Sequence, residues 1–306
     1  MSQADWNRRQ WLQYSAALTA TAAWTAPAIL SRPGLAAEKP QDGGRAKREA
    51  KVAFGLVTYQ WGNDWALPEL LANCAKTGAR GVELRTTHAH GVEPSLNEQQ
   101  RAEVKARFAG SGVTLVGIGS NERFDSPDPQ VVRQAIEASK AFIRLSHDVG
   151  GSGVKVKPDR FHPNVPKEKT IEQIGLALNE LGEYAEGFGQ QIRLEVHGQC
   201  AELPTIKAIM EIAKHPQVAV CWNSNAQDLQ GDGLEANFKL VRDRFGDTCH
   251  VRELDTPDYP FAQLIRLLVE SNYNGWVLLE ASSRPADRVA ALAQQAALFT
   301  RLVDSA

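Results

Sequence analysis

The chain has little of what several protein classes require. Its 306 residues include four cysteines, Cys74, Cys200, Cys221 and Cys249. No two of them form a C-x-x-C pair, which excludes a zinc knuckle. Four cysteines in so long a chain do not describe a disulfide framework either, and they read as packing residues. No run of Lys and Arg is long enough to attract a nucleic-acid backbone. The formal net charge is −2, and Arg8, Arg9 and Arg32 against Asp5 put +2 ahead of Ala37, so the remainder is near −4. No G-x-G-x-x-G follows the first β-rich run, which removes the dinucleotide fingerprint of open doubly wound sheets. After the N-terminus, no stretch is apolar enough to span a bilayer.

The first residues read as an address. Arg8-Arg9-Gln10-Trp11-Leu12 precedes an Ala- and Thr-rich run, Tyr14 to Leu30, that Pro27 interrupts. Gly34-Leu35-Ala36 then offers small residues for cleavage. This pattern resembles a twin-arginine export signal and implies a periplasmic destination. Residues 1–36 are therefore expected to be a signal peptide. Residues 37–50, with Gly43-Gly44 among mixed charges, form a linker, and residues 51–306 form one domain.

That domain repeats one pattern: a short β-rich run, a polar loop, an amphipathic helix, a glycine. Strands are expected to begin near Val52, Gly81, Val113, Gly153, Gln191, Val218, Cys249 and Gly275. Their spacing, roughly 27–40 residues, is that of a βα unit. Helix starts are marked by Ser95 to Glu98 and Thr170 to Gln173 as capping boxes, and by Asp128-Pro129. Ile171, Ile174, Leu178 and Leu181 recur at helical spacing. Eight such units predict an α/β fold, a single (β/α)8 TIM barrel.

Alternation along each strand then sorts the side chains. Val82 and Leu84 face the helices and leave Glu83 and Arg85 inward. Lys155, Lys157, Arg193, Glu195, His197, Cys221, Asn223, His250 and Arg252 share that inward parity, and the eighth strand ends at Glu280. Isolated buried charges cost several kcal/mol, so a polar interior must pair or work. Glu195, His250 and Glu280 converge at the end of the barrel where such enzymes build their sites. Two carboxylates and an imidazole suit one divalent ion, Mn, Mg, Co or Zn. Tyr59, Trp61, Trp65 and Trp222 are expected near the mouth, with His88, His90 and His162 on neighbouring loops.

Several strand-end motifs carry a family resemblance. They are Tyr59, Gly81-Val82-Glu83-Leu84, Leu194-Glu195-Val196-His197, Cys221-Trp222-Asn223-Ser224-Asn225, His250-Val251-Arg252-Glu253 and Trp276-Val277-Leu278-Leu279-Glu280. In this order they resemble the xylose isomerase-like TIM-barrel superfamily over nearly all of residues 51–303. The group includes sugar phosphate isomerases/epimerases, tagatose-type epimerases and endonuclease IV relatives. The resemblance implies a metal held by Glu195, Asn223, His250 and Glu280, with Glu195 and Glu280 as acid and base. His197 and Lys157 are expected to assist catalysis. Tyr59, Trp61, Glu83, His88 and Arg252 are expected to bind a small carbohydrate. The implied reaction is isomerisation or epimerisation through an enediolate. A lyase on an oxidised sugar and a non-catalytic carbohydrate-binding barrel are the alternatives, and a homo-oligomer is left open. Two positions depart from the family: Asn223 stands for an aspartate and Ala226 for a histidine. A DNA-repair role would need more His and Asp ligands and a basic groove, which the acidic balance excludes.

Overall fold

The computed structural model describes residues 52–306, so the expected signal peptide and linker lie outside the described residues. Strands and helices alternate as β1 (Ala53–Val57), α1 (Leu67–Thr77), β2 (Gly81–Arg85), α2 (Glu98–Ala109), β3 (Thr114–Arg123), α3 (Pro129–Val149), β4 (Gly153–Lys157) and α4 (Lys167–Glu186). The second half continues with β5 (Gln191–Glu195), α5 (Leu203–Ile212), β6 (Val218–Asn223), α6 (Gly233–Val241), β7 (Phe245–Val251), α7 (Phe261–Glu270), β8 (Trp276–Leu279) and α8 (Arg288–Asp304). Every strand pairs in parallel with the next, and β1 closes on β8. This is the expected (β/α)8 barrel.

Alternation builds its wall. Val82, Leu84, Val154, Val156, Ile192 and Leu194 are fully buried in the one large apolar cluster that joins sheet to helices. Their odd-parity neighbours are thereby forced toward the axis.

Helix starts follow local chemistry, with two displacements. Asp128 caps α3 by accepting from the Gln130 amide at 2.8 Å, and Pro129 follows it. The box expected at Ser95 instead forms two residues later, where Asn97 and Gln100 cap each other reciprocally; asparagine caps as well as serine does. α4 begins at Lys167 behind Pro166, three residues before Thr170, whose buried hydroxyl finds no partner. The fixed φ of proline sets that entry without a side-chain cap. Ile174, Leu178 and Leu181 form the buried stripe of α4, with Ile171 packed beside it.

β7 starts at Phe245, four residues ahead of the expected Cys249. The extra segment, Phe245-Gly246-Asp247-Thr248, contains two weak strand formers and is invisible to propensity. Tertiary contacts hold it. Tyr273 donates to the Gly246 carbonyl at 3.0 Å, and Asp247 receives Arg193.

Arg193 closes the floor of the barrel. Its fully buried guanidinium donates to Asp247 Oδ2 (3.0 Å), Ser152 Oγ (2.6 Å) and Gln191 Oε1 (3.0 Å). Gly153 makes the room, since a β-carbon there would lie 2.9 Å from the guanidinium carbon. An apolar layer of Val57, Val116 and Leu278 adjoins it. The remaining polar groups are left at the opposite, C-terminal end.

Candidate active site

The mouth is organised around His250. Glu195 ends β5, Asn223 ends β6 opposite His250 on β7, and Glu280 follows β8 directly. His250 Nδ1 lies 3.4 Å from Glu195 Oε1 and 3.7 Å from Glu280 Oε2, while Nε2 lies 3.3 Å from Glu83 Oε1. One ligand atom from each of Glu195, His250 and Glu280 falls within 4.8 Å of the others. Asn223 donates from Nδ2 to Glu195 Oε1 (2.9 Å) and Glu280 Oε2 (3.4 Å). From β4, Lys155 Nζ reaches Glu195 Oε2 at 2.9 Å and donates to the Ser120 carbonyl at 3.3 Å.

Burial alone would neutralise these groups, but mutual attraction outweighs it. Burial pushes Glu195 up, yet the Lys155 ammonium and the His250 ring hold its carboxyl well below the usual range. Glu83 is lowered by the same competition, burial losing to His250, Lys155 and Arg193. Burial pulls Lys155 down, and Glu195, Glu83 and Glu280 lift it above the ordinary lysine value. For His250, burial opposes protonation, and Cys221, Glu83 and Glu195 override it to raise the ring well above 6.5. Without a metal ion the cluster is therefore a charge-separated network.

These residues fit a divalent cation. Both ring nitrogens of His250 are buried without a close hydrogen bond, with carboxylate oxygens 3.3 to 3.7 Å away. Cation binding would displace the imidazole proton and satisfy Nδ1. Asn223 fits less directly, because it presents its amide nitrogen to both carboxylates. Turning its terminal amide over would present Oδ1 instead.

The other expected residues divide into those at the mouth and those elsewhere. Lys157 ends β4 half-buried, and Tyr59 lies under Arg85 with the guanidinium carbon 4.9 Å from its ring centroid. His88 sits 3.3 Å from Thr58 Oγ1; burial, with Arg85 and His90 nearby, lowers its ring to about 4. His197 is a partly exposed ring held by Asp159 Oδ1 at 3.0 Å. Glu83 is fully buried against His250 and has no surface for a substrate.

Trp61 is 2% exposed and donates to the Ser283 carbonyl, so it caps the barrel and offers no face to a sugar. Trp65 is equally enclosed beneath Arg288. Trp222 has the outward parity and packs on Phe238 and Phe245 behind the wall. Arg252 pairs with the exposed Asp258 at 2.8 Å, on the rim. His90 accepts from the Val92 amide and contacts the Arg85 carbonyl, and His162 contacts Asp125.

Asp159, which holds the His197 ring, was not singled out from the sequence. It adopts a left-handed φ of 63°, pairs with Arg123, and accepts from the Gln199 and Cys200 amides through its carbonyl. The accompanying signal was Gly198, where φ is 70° and a β-carbon would come 2.2 Å from the Asp159 oxygen.

A closed parallel barrel whose mouth joins two carboxylates to one imidazole defines the class. A family model, the xylose isomerase-like TIM barrel, matches residues 71–302, and the chain belongs to that family. Among solved structures, 3-keto-D-glucoside 4-epimerase from E. coli is similar at 16% identity and a TM-score of 0.70, covering 82% of this chain and 99% of that one. D-psicose 3-epimerase from Clostridium cellulolyticum H10, solved with D-tagatose, has 17% identity and a TM-score of 0.69, covering 83% and 98%. The IOLI protein, solved with a zinc atom, has 18% identity and a TM-score of 0.68, covering 83% and 98%. At such identities the likeness is one of fold. No curated protein matches the sequence.

Proposed function

We propose that the protein is a metal-assisted sugar or keto-sugar isomerase or epimerase that moves a proton at the carbon beside a carbonyl. The observation that carries this reading is the convergence of Glu195, His250 and Glu280, with their ligand atoms within 4.8 Å. The resemblance to sugar epimerases supports it. Glu195, His250 and Glu280, joined by a turned Asn223, would hold the ion, which when bound supplies Lewis-acid polarisation of the carbonyl.

The side chains do the rest. Glu280 has a side chain 18% exposed, against 1% for Glu195, so it is the carboxylate a substrate meets first. It takes the proton from the carbon; the C–H electron pair becomes a C=C bond, and the carbonyl oxygen takes the negative charge of an enediolate. Lys157 offers an ammonium to that developing charge. Return of the proton to the opposite face, with Glu195 as the second carboxyl, gives an epimer; return to the neighbouring carbon gives an isomer. Asp159 fixes the orientation of His197, which can relay protons at the rim. The twin-arginine-like pattern at Arg8-Arg9 supports a periplasmic setting for this chemistry.

A lyase on an oxidised sugar uses the same enolate, with expulsion of a β-substituent in place of reprotonation. Asn223 favours another reading, a carbohydrate-binding barrel, because its amide already bridges the two carboxylates without an ion. Deuterium exchange separates them. Keto-sugars incubated in deuterated water with Mn, Mg, Co or Zn should exchange the proton beside the carbonyl, and Glu280→Gln should slow this by about 10²-fold or more. No exchange with any of the four ions would leave the binding reading.

A further inference from the structure

At the same end of the barrel as the carboxylates stand two cations without a counter-ion, Arg85 at the end of β2 and Lys157 on β4, one residue past the Val156–Leu194 pair and so beside Glu195. Lys157 makes no hydrogen bond or ion pair among the described residues, although Glu195 and Glu280 act on it from a distance. Burial, with repulsion from Lys155 and Arg85, lowers it from the ordinary lysine value, so an added negative charge there would relieve a real cost. Arg85 likewise has no ion pair. Asn121 Oδ1 accepts from its Nη2 at 3.2 Å, the Tyr59 ring supports its plane, and its buried Nε has no partner. On β3, Asn121 lies beyond Gly119, which pairs with Arg85, and toward Arg123, which pairs with Lys157. Asn121 thus draws the guanidinium up the barrel toward Lys157.

Charge balance leads to the same place. Arg193 and Asp247 neutralise each other at the floor. The buried loop carboxylates Asp125, Asp228 and Glu253 have hydrogen-bond partners of their own, and the remaining charges that face the axis set Glu83, Glu195 and Glu280 against Lys155, Lys157 and Arg85. A divalent ion on Glu195, a neutral His250 and Glu280 would leave two uncompensated positive charges. A neutral sugar offers nothing to offset them.

We propose that Arg85 and Lys157 form a subsite for a carboxylate of the substrate, so that the site takes a sugar acid in preference to a neutral keto-sugar. This rests on the proton-transfer reading above and names its substrate class. The planar guanidinium fork matches a carboxylate, and the Lys157 ammonium, which also faces the developing enediolate charge, adds a point charge shared between the two. The same donors would also take a phosphate, which recognition sites commonly hold with a cradle of backbone amides as well, and the phosphate arm of the titration below separates the two. With the carboxylate held there, the remaining carbons extend toward Glu195 and Glu280.

Calorimetric titration of the mature protein, metal-free and zinc-loaded, with D-glucuronate, D-glucose and D-glucose 6-phosphate tests this. Glucuronate should bind at least about tenfold tighter than glucose, with the preference weakening as salt is added. Lys157→Met and Arg85→Gln should each remove most of that preference, and Arg85→Lys should retain part of it. Melting temperatures identify variants that fold, and Lys157→Met suffices if Arg85→Gln does not. Equal affinity for glucuronate and glucose, no binding of glucuronate, tighter binding of the phosphate, or a preference unchanged in the variants would overturn the subsite. Deuterium exchange measured on both a neutral keto-sugar and a keto-sugar acid separates the two claims. Exchange without a glucuronate preference removes the subsite and keeps the reaction, and a preference without any exchange removes the reaction.

Discussion

Replacing Lys155 by methionine should cost far more than one side chain's packing. Its ammonium and the Glu195 carboxylate are both about 1% exposed and 2.9 Å apart. Methionine fills much of the same volume but leaves Glu195 charged, buried and supported only by Asn223 and the His250 ring. Breaking a buried pair from one side typically costs about 3–5 kcal/mol, a large share of the ~5–15 kcal/mol that holds a domain folded. The sign with pH follows from Glu195. Its depressed pKa contributes stability above the ordinary carboxyl value of 4.5, which is lost as pH falls through the lower folded value. Lys155→Met removes the largest contribution to that depression, so the loss should be largest near neutrality and shrink toward acid. Urea unfolding of metal-free protein at neutral and mildly acid pH measures both effects. Adding Glu195→Gln to the variant should recover about 2 kcal/mol, because the orphaned charge is gone. A single-variant loss below about 1 kcal/mol at neutral pH, or no recovery in the double variant, would show that Lys155 does not neutralise Glu195.

Other outcomes follow from the same geometry. Zinc or manganese should bind one to one and, at a hundredfold over Kd, add about 2.7 kcal/mol to stability; stoichiometric metal retained by a His250→Ala/Glu280→Gln variant would contradict the ligand set. Burial raises Asp228 to about 7, against hydrogen bonds from Asn225 and Tyr259. Its contribution is thus fully present below 3.8 and lost as pH rises through about 7. Asp228→Asn should flatten the stability profile by about 3 kcal/mol between pH 5 and 8, and an unaltered profile in urea titrations would refute that. In NMR titrations the His88 ring should show a midpoint near 4; an ordinary histidine midpoint would mean it is not buried beside Arg85. Gly198→Ala should lose about 2 kcal/mol or more, since the left-handed φ and the Asp159 carbonyl both oppose a β-carbon; a thermal midpoint equal to wild type would argue against that contact.

Alternation with a period of two is a local property, and it made the barrel, the outward apolar wall and the inward Glu195, His250 and Glu280 legible in the sequence. Helix entries were legible where one residue decides them, as at Asp128, and shifted where alternatives stood close, as at Asn97 and Pro166. Trp222, expected near the mouth, lies between the inward Cys221 and Asn223, and strand alternation puts it on the outer wall against Phe238 and Phe245. What lay beyond the sequence was every pairing that crosses strands. Nothing local says that Lys155, not Lys157, meets Glu195, or that Asp159 holds His197 from 38 residues away. Strand stagger and side-chain reach decide which inward groups meet, and those exist only once the barrel closes. The sequence by itself therefore determined which side chains face the axis. Only the tertiary structure decided which charges neutralise one another and left Arg85 and Lys157 without a counter-ion.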